Sequence, residues 1–167
     1  YVKNSVALLY SSDNEYGFKL QHQAEGMYYL EQLKSLHDGF TAIGVGVDII
    51  DESADLSAYE IVLAPTMLIT HEETEKALHE FAAQGGTILL TNRSGVKDVW
   101  NKCIMEPLPS IYKDMIGAQV QEYDVPGGRK GKLDIVDDTL RREYIQCLQC
   151  NFQQNQDSSE TEINVLY

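Results

Sequence analysis

The stretch Ala83-Gln-Gly-Gly-Thr-Ile-Leu-Leu-Thr-Asn-Arg-Ser-Gly-Val-Lys-Asp98 decides how the rest of the chain is read. An amphipathic helix stops at Gly85-Gly86, and an apolar run from Thr87 to Leu90 follows. A polar loop carrying Arg93, Ser94, Gly95, Lys97 and Asp98 opens where that run ends. Helix, glycine stop, buried strand and loop is the repeating unit of an α/β sheet. The ends of such strands carry ligands or partners, so Arg93 to Asp98 is the first place to seek function.

Working outward toward the N-terminus, Glu60-Ile-Val-Leu-Ala-Pro65 is a strand halted by proline. Thr70 with Glu73 three residues later makes a capping box for the helix that ends at Gly85. That helix buries Ala77, Leu78, Phe81 and Ala82, and its acids Glu72, Glu73 and Glu75 sit near the positive end of the dipole. Val6 to Tyr10 is a further apolar run, read as a strand buried on both faces, and Val45, Val47, Ile49 and Ile50 form another strand. Ser11 to Gly17 reads as a βα loop, and Phe18 to about His37 as one helix with Leu20, Ala24, Met27, Leu30 and Leu33 along its buried stripe.

Toward the C-terminus, Pro107 and Pro109 precede a short helix with Leu108, Ile111, Tyr112, Met115 and Ile116 on one face, ended by Gly117. Val120 to Tyr123 reads as a strand, Pro126 to Gly131 as a turn, and Leu133 to Val136 as a short strand. A last helix is expected from Asp138 through Leu140, Tyr144, Cys147, Leu148 and Phe152, with a terminal strand from Ile163 to Tyr167. Alternating strands and helices predict an α/β fold: three layers, α/β/α, around a mostly parallel sheet, of the flavodoxin-like kind.

Composition narrows the function classes. The 167 residues fit one domain with a sizeable core. Thirteen Lys and Arg stand against 26 Asp and Glu, a formal charge of −13 with no basic cluster longer than a pair, which argues against nucleic acid or an anionic membrane as partner. No apolar run approaches the roughly 18 residues of a membrane span. The expectation is a soluble domain, with the cytoplasm favoured as its compartment. The chain starts at Tyr1 within a few residues of a strand and ends on an alternating run, which reads as a domain excised from a longer protein.

The chemistry-bearing residues are sparse. Gly44-Val-Gly46 precedes its strand and lacks a third glycine, so no dinucleotide cofactor is expected. The loop after the first strand carries two acids and one glycine, a poor phosphate cradle. His71 and His79 lie two helical turns apart, too far for one metal, and Cys147-Leu-Gln-Cys150 has no second ligand pair, so no metal is expected either. A nucleophile elbow needs Cys or Ser in a sharp turn with a histidine nearby. The turn after Leu63 holds Pro65-Thr-Met67, and Ser94, the remaining candidate, has no histidine after it in the chain. No catalytic residue is assigned, and Ser94 reads as a hydroxyl that fixes its loop.

Several runs together carry a family resemblance. Asp55-Leu-Ser-Ala-Tyr59, Val62-Leu-Ala-Pro65, Gly85-Gly-Thr-Ile-Leu-Leu-Thr91, Arg93-Ser-Gly-Val-Lys-Asp98, Pro107-Leu-Pro109 and Glu122-Tyr-Asp124 resemble the middle, trimerisation domain of family 42 β-galactosidases. The resemblance implies a fold similar to class I glutamine amidotransferases that has lost its Cys-His chemistry. It also implies a parent enzyme that hydrolyses terminal β-galactosides with retention, using two glutamates of a (β/α)8 barrel outside this chain. The implied partners are that barrel and the other subunits of a homo-oligomer, a trimer in the parent. In that setting Arg93, Ser94, Gly95, Lys97 and Asp98 form an interdomain or intersubunit contact loop, with Arg93 and Asp98 its charged anchors and Gly95 its turn. The alternative is a stand-alone amidotransferase-like small hydrolase.

Overall fold

Val6 and Leu8 are buried on one side of the first strand, Ala7 and Leu9 on the other, so this strand has a core on both faces. Only the middle of a sheet covered on both sides asks for that pattern. The computed structural model describes residues 4–24, 26–123 and 150–154, and it places β1 (Val6–Tyr10) in such a position. β2 (Val47–Asp51) and β3 (Ile61–Ala64) flank it, and β4 (Thr87–Leu90) lies outside β3, giving the order β2-β1-β3-β4. All three pairings are parallel, with Val6 opposite both Val47 and Ile61, and Leu63 opposite Leu89.

Two helices cover one face. α1 (Ser12–Leu20) contributes Phe18, and α2 (Tyr29–Ala42) contributes Tyr29 and Leu33, to a core with Val6, Leu8 and Leu63. α3 (Glu72–Ala83) covers the other face, where Leu78 and Phe81 pack with Leu9, Val62, Met67 and Tyr112. The expected three-layer α/β arrangement is therefore present. Gly85, at φ 91°, closes α3 where the sequence placed its stop, because the left-handed backbone there suits glycine. Past β4 the chain passes through a 3-10 turn at Ser110–Tyr112 and α4 (Lys113–Ile116), which Gly117 ends. β5 (Ala118–Tyr123) then pairs antiparallel with β6 (Cys150–Gln154).

Four expectations are corrected. Ser11 to Gly17 is not a loop: Ser11 is an N-cap whose hydroxyl accepts from the Asn14 amide, so helix α1 starts at Ser12. The single helix from Phe18 to His37 is two helices broken between Leu20 and Tyr29, and Leu20 is 80% exposed rather than buried. The break frees Gln21 and Gln23 to reach side chains of the loop after β4. The capping box at Thr70 does not form: α3 begins one residue later, with His71 as a cap that makes no side-chain bond. Residues 150–152, expected in the tail of a helix, belong to strand β6 (Cys150–Gln154). The expected strands at Leu133 to Val136 and Ile163 to Tyr167, the turn at Pro126 to Gly131, and Cys147 lie outside the described residues.

Candidate contact surface

In a sheet of this order the chain turns from one side of β1 to the other, and the crevice at the C-terminal ends of β1 and β3 is where such folds take ligands. Here the chain fills that crevice from within. Asn14, fully buried in the first turn of α1, accepts from the Ile69 amide at 2.7 Å and donates to the Ile69 carbonyl at 3.0 Å. Its amide also donates to Ser11 Oγ at 3.0 Å. The backbone of Ser11 in turn donates to the hydroxyl of Tyr29 at 2.8 Å. Burial holds that phenol above its ordinary pKa, so it stays a neutral hydrogen-bonding group. One asparagine thus stitches the exit of β1 to the exit of β3.

A second seam ties the exit of β3 to the loop after β4. Ser94 Oγ accepts from the Met67 amide at 3.1 Å and donates to the Thr91 carbonyl at 2.8 Å. Thr91 Oγ1 accepts from the Thr66 amide at 2.8 Å. Backbone bonds from Gly95 to Met67, Lys97 to Leu68 and Thr70 to Lys97 continue the seam at 2.8–3.0 Å. Thr66 has φ 44°, an uncommon conformation for a β-branched residue, and it stands where a nucleophile elbow would turn. It is completely buried.

The five residues singled out in the sequence divide into two groups. Ser94, Gly95 and Lys97 are buried within the domain, while Arg93 and Asp98 are half-buried at its edge. Gly95 has φ 70°, and a Cβ there would come 2.2 Å from the Pro109 carbonyl oxygen, so close approach and backbone both require glycine. Lys97 is only 3% exposed, and its ammonium donates to Gln21 Oε1 at 2.6 Å and Asn101 Oδ1 at 2.7 Å. Arg93, itself at φ 63°, donates through Nη2 to Gln23 Oε1. Asp98 Oδ1 accepts from the amides of Trp100 and Lys102, each at 2.9 Å. The two charged anchors therefore bond to different partners and not to each other.

Those Asp98 bonds build a small hairpin that the sequence reading did not resolve. Asp98 donates its amide to the Lys102 carbonyl, Ile104 to the Val96 carbonyl, and Asn101 to the Asp98 carbonyl. Asn101 takes φ 60°, which its short amide side chain tolerates, and holds Lys97 from below. At the tip stand Val99, 45% exposed, and Trp100, 86% exposed; Met105, just past the hairpin, is 92% exposed. The signal for the turn is an aspartate followed by an asparagine three residues later, both residues that bond back to nearby amides.

Ser94 is not arranged as a nucleophile, since its hydroxyl proton is directed at Thr91. The four histidines make their contacts elsewhere. His71 lies 3.0 Å from Asp13 and 3.7 Å from Glu52, His79 is 3.3 Å from the Ile111 carbonyl, His37 adjoins Asp38, and His22 meets the Tyr28 ring edge-on. Cys103 is an exposed free thiol. Among the described residues no three His, Cys, Asp or Glu side chains converge as metal ligands, and no helix is long and apolar enough to cross a membrane.

Fold and site define a class: a doubly wound, parallel α/β domain whose strand exits are tied together by its own side chains. Residues 4–146 match the family described as the beta-galactosidase trimerisation domain, and the chain belongs to that family. The match takes in the region before Asp55, where the sequence resemblance rests on element order. The chain is 48% identical over 126 residues to beta-galactosidase BgaA of Clostridium cellulovorans, covering 75% of this chain and 19% of the relative. It is 32% identical over 123 residues to BgaH of Haloferax lucentense, covering 74% and 19%. The solved beta-galactosidase of the Antarctic haloarchaeon Halorubrum lacusprofundi superposes with a TM-score of 0.73 at 30% identity, over 78% of this chain and 20% of that one. That of Bacillus circulans sp. alkalophilus gives 0.73 at 23% identity, over 77% and 19%, a likeness of fold. The chain spans 19% of the length of the two curated relatives.

Proposed function

We propose that this chain is the assembly domain of a longer β-galactosidase, holding subunits and a catalytic barrel together without contributing catalytic groups of its own. The observation that carries the reading is the bonding at the C-terminal edge of the sheet, where Asn14, Ser94 and Lys97 are committed to groups of the chain itself at the place where a domain of this topology receives a small molecule. Family membership supports the same reading, and so does the small share of each relative that the chain spans.

In this reading the parent hydrolyses terminal β-D-galactosides with two glutamates that belong to the barrel. The loop from Arg93 to Asp98 is an interdomain or intersubunit contact. Ser94, Gly95 and Lys97 set its shape from inside, and Arg93 and Asp98 stand at its edge. The partners are other copies of the same protein, three in the assembled parent, and the barrel of the same chain.

The test compares the full-length protein with the 167-residue chain on a chromogenic β-galactoside, alongside their masses in solution. Activity confined to a full-length trimer is the expected result. Hydrolysis by the chain alone, abolished by Ser94→Ala or Cys103→Ala, would overturn it in favour of a small hydrolase.

A further inference from the structure

We propose that the hairpin tip at Val99 and Trp100 is a self-association contact, in which Trp100 of one copy seats in the apolar groove between α2 and β2 of the next. This rests on the reading of the chain as an assembly domain. Three observations lead to it.

The first is that the tip is built rather than loose. Asp98 Oδ1 holds the Trp100 and Lys102 amides, and the buried Lys97 ammonium holds Asn101. The backbone that carries the indole, itself 86% exposed, is thereby braced, so little backbone ordering entropy remains to be lost on contact. Tryptophan is the residue type most often found as an interface anchor.

The second is charge. With a formal charge of −13, two copies of this chain repel at long range, and a contact between them has to form where the surface is neutral or basic. Val99 and Trp100 carry no charge. The groove is lined by Tyr10, Leu30, Leu33 and Ile49 with Lys34 and His37 among them, and the Lys34 ammonium is paired with Asp38, so the apolar floor lies beside a neutralised ion pair. An uncharged indole meets no repulsion there.

The third is symmetry. A ring of three identical subunits is closed by a head-to-tail contact, in which each copy presents two different surfaces. The hairpin follows β4, and the groove adjoins β2, which are the two opposite edges of the four-stranded sheet. The groove is an open depression of about 280 Å³, and Leu30 and Ile49 on its walls are 50% and 59% exposed in the single chain. A protrusion on one edge and a recess on the other are what such a ring uses.

Trp100 is the single tryptophan of the 167 residues, so its emission reports the contact directly. The chain would be diluted from tens of micromolar to nanomolar while mass is followed by sedimentation and emission by fluorescence with acrylamide quenching. The expected result is a blue-shifted, quencher-protected tryptophan in the associated form and an exposed one in the monomer. Trp100→Ala and Ile49→Glu should each raise the dissociation midpoint at least tenfold. Trp100→Phe should recover part of the loss, and Leu20→Ala, exposed but on neither surface, should change nothing. The double variant Trp100→Ala/Ile49→Glu should cost no more than the worse single change, as for residues in contact.

If the chain stays monomeric at tens of micromolar, or associates with a midpoint that Trp100→Ala or Ile49→Glu leaves unmoved, the inference is overturned while the assembly reading stands. A tryptophan that stays exposed until a separately produced barrel is added overturns it as well, in favour of an interdomain contact. A full-length protein that remains monomeric at every concentration removes the assembly reading itself.

Discussion

The seam between the strand exits and the hairpin tip are neighbours in sequence, yet opposite in physical character. At the seam, buried polar side chains are bonded to backbone groups, Asn14 to both backbone groups of Ile69 and Ser94 to Met67 and Thr91, while the buried hydroxyl of Thr66 makes no bond. At the tip, apolar side chains stand in water. The seam is an interior made of polar groups, which is held together by the groups that find partners. The tip is a surface made of apolar groups, which gains free energy only when something covers it. The loop from Arg93 to Asp98 joins the two. If the tip is the proposed contact, stability resides on one side of this boundary and assembly on the other, and substitutions should separate them.

The largest effect is expected at Asn14. Asn14→Ala strands a buried amide and a buried carbonyl of Ile69 at once and should lower unfolding stability by about 3 kcal/mol in urea titration. A loss below about 1 kcal/mol would mean that water replaces the side chain and that the crevice is not sealed. Next comes Gly95→Ala, which combines a left-handed backbone with a 2.2 Å approach to Pro109 O and should cost about 2 kcal/mol. The same change should lift the loop off Pro109, which hydrogen exchange at the Gly95 and Lys97 amides would show as lost protection.

The two regions were also unequally legible in the sequence. The four strands of the parallel sheet are legible because a strand buried on its faces is a short apolar run, and Val6 to Tyr10 or Ile61 to Ala64 resemble little else. The start of α1 was misread because Ser, Asp, Asn and Gly all favour turns when taken singly. Taken together, Ser11 followed by Asp13 and Glu15 in the first turn is an N-cap with dipole-matched acids. The long helix stripe was misread for a different reason. Helical spacing continues through Ala24 and Met27, but Gln21 and Gln23 are drawn away by Lys97 and Arg93, more than 60 residues further on. In the loop from Arg93 to Asp98 the direction of each side chain was not legible. That Lys97 points inward and Trp100 outward depends on partners such as Gln21, which no local pattern shows.

A smaller effect should test the seam electrostatically at the exit of β2. Glu52 is largely buried, and desolvation raises its carboxyl above the ordinary range, with His71 nearby acting the other way. For an acid whose pKa is higher when folded, the native state holds its proton longer than the unfolded chain does. Its contribution is therefore most favourable below the unfolded carboxylate pKa of about 4.3 and is lost as pH rises through the folded value. Glu52→Gln should remove that decline, so the variant gains stability relative to the parent chain at pH 7 and not at pH 4. Parallel urea titrations at the two pH values would show it, and an equal shift at both would mean that the carboxylate is effectively solvated.

The smallest effect on stability is expected at the tip. Trp100 is 86% exposed, its amide is held by Asp98 whatever the side chain, and the Lys97–Asn101 bond does not involve the indole. In dilute monomeric chain, Trp100→Ala should change unfolding stability by no more than about 0.5 kcal/mol, the range of ordinary surface substitutions. A loss of 2 kcal/mol there would show the indole packing within its own domain, and the division between a polar seam that folds the chain and an apolar tip that joins chains would no longer hold. Retained stability with lost association would place the two functions on opposite sides of Asp98.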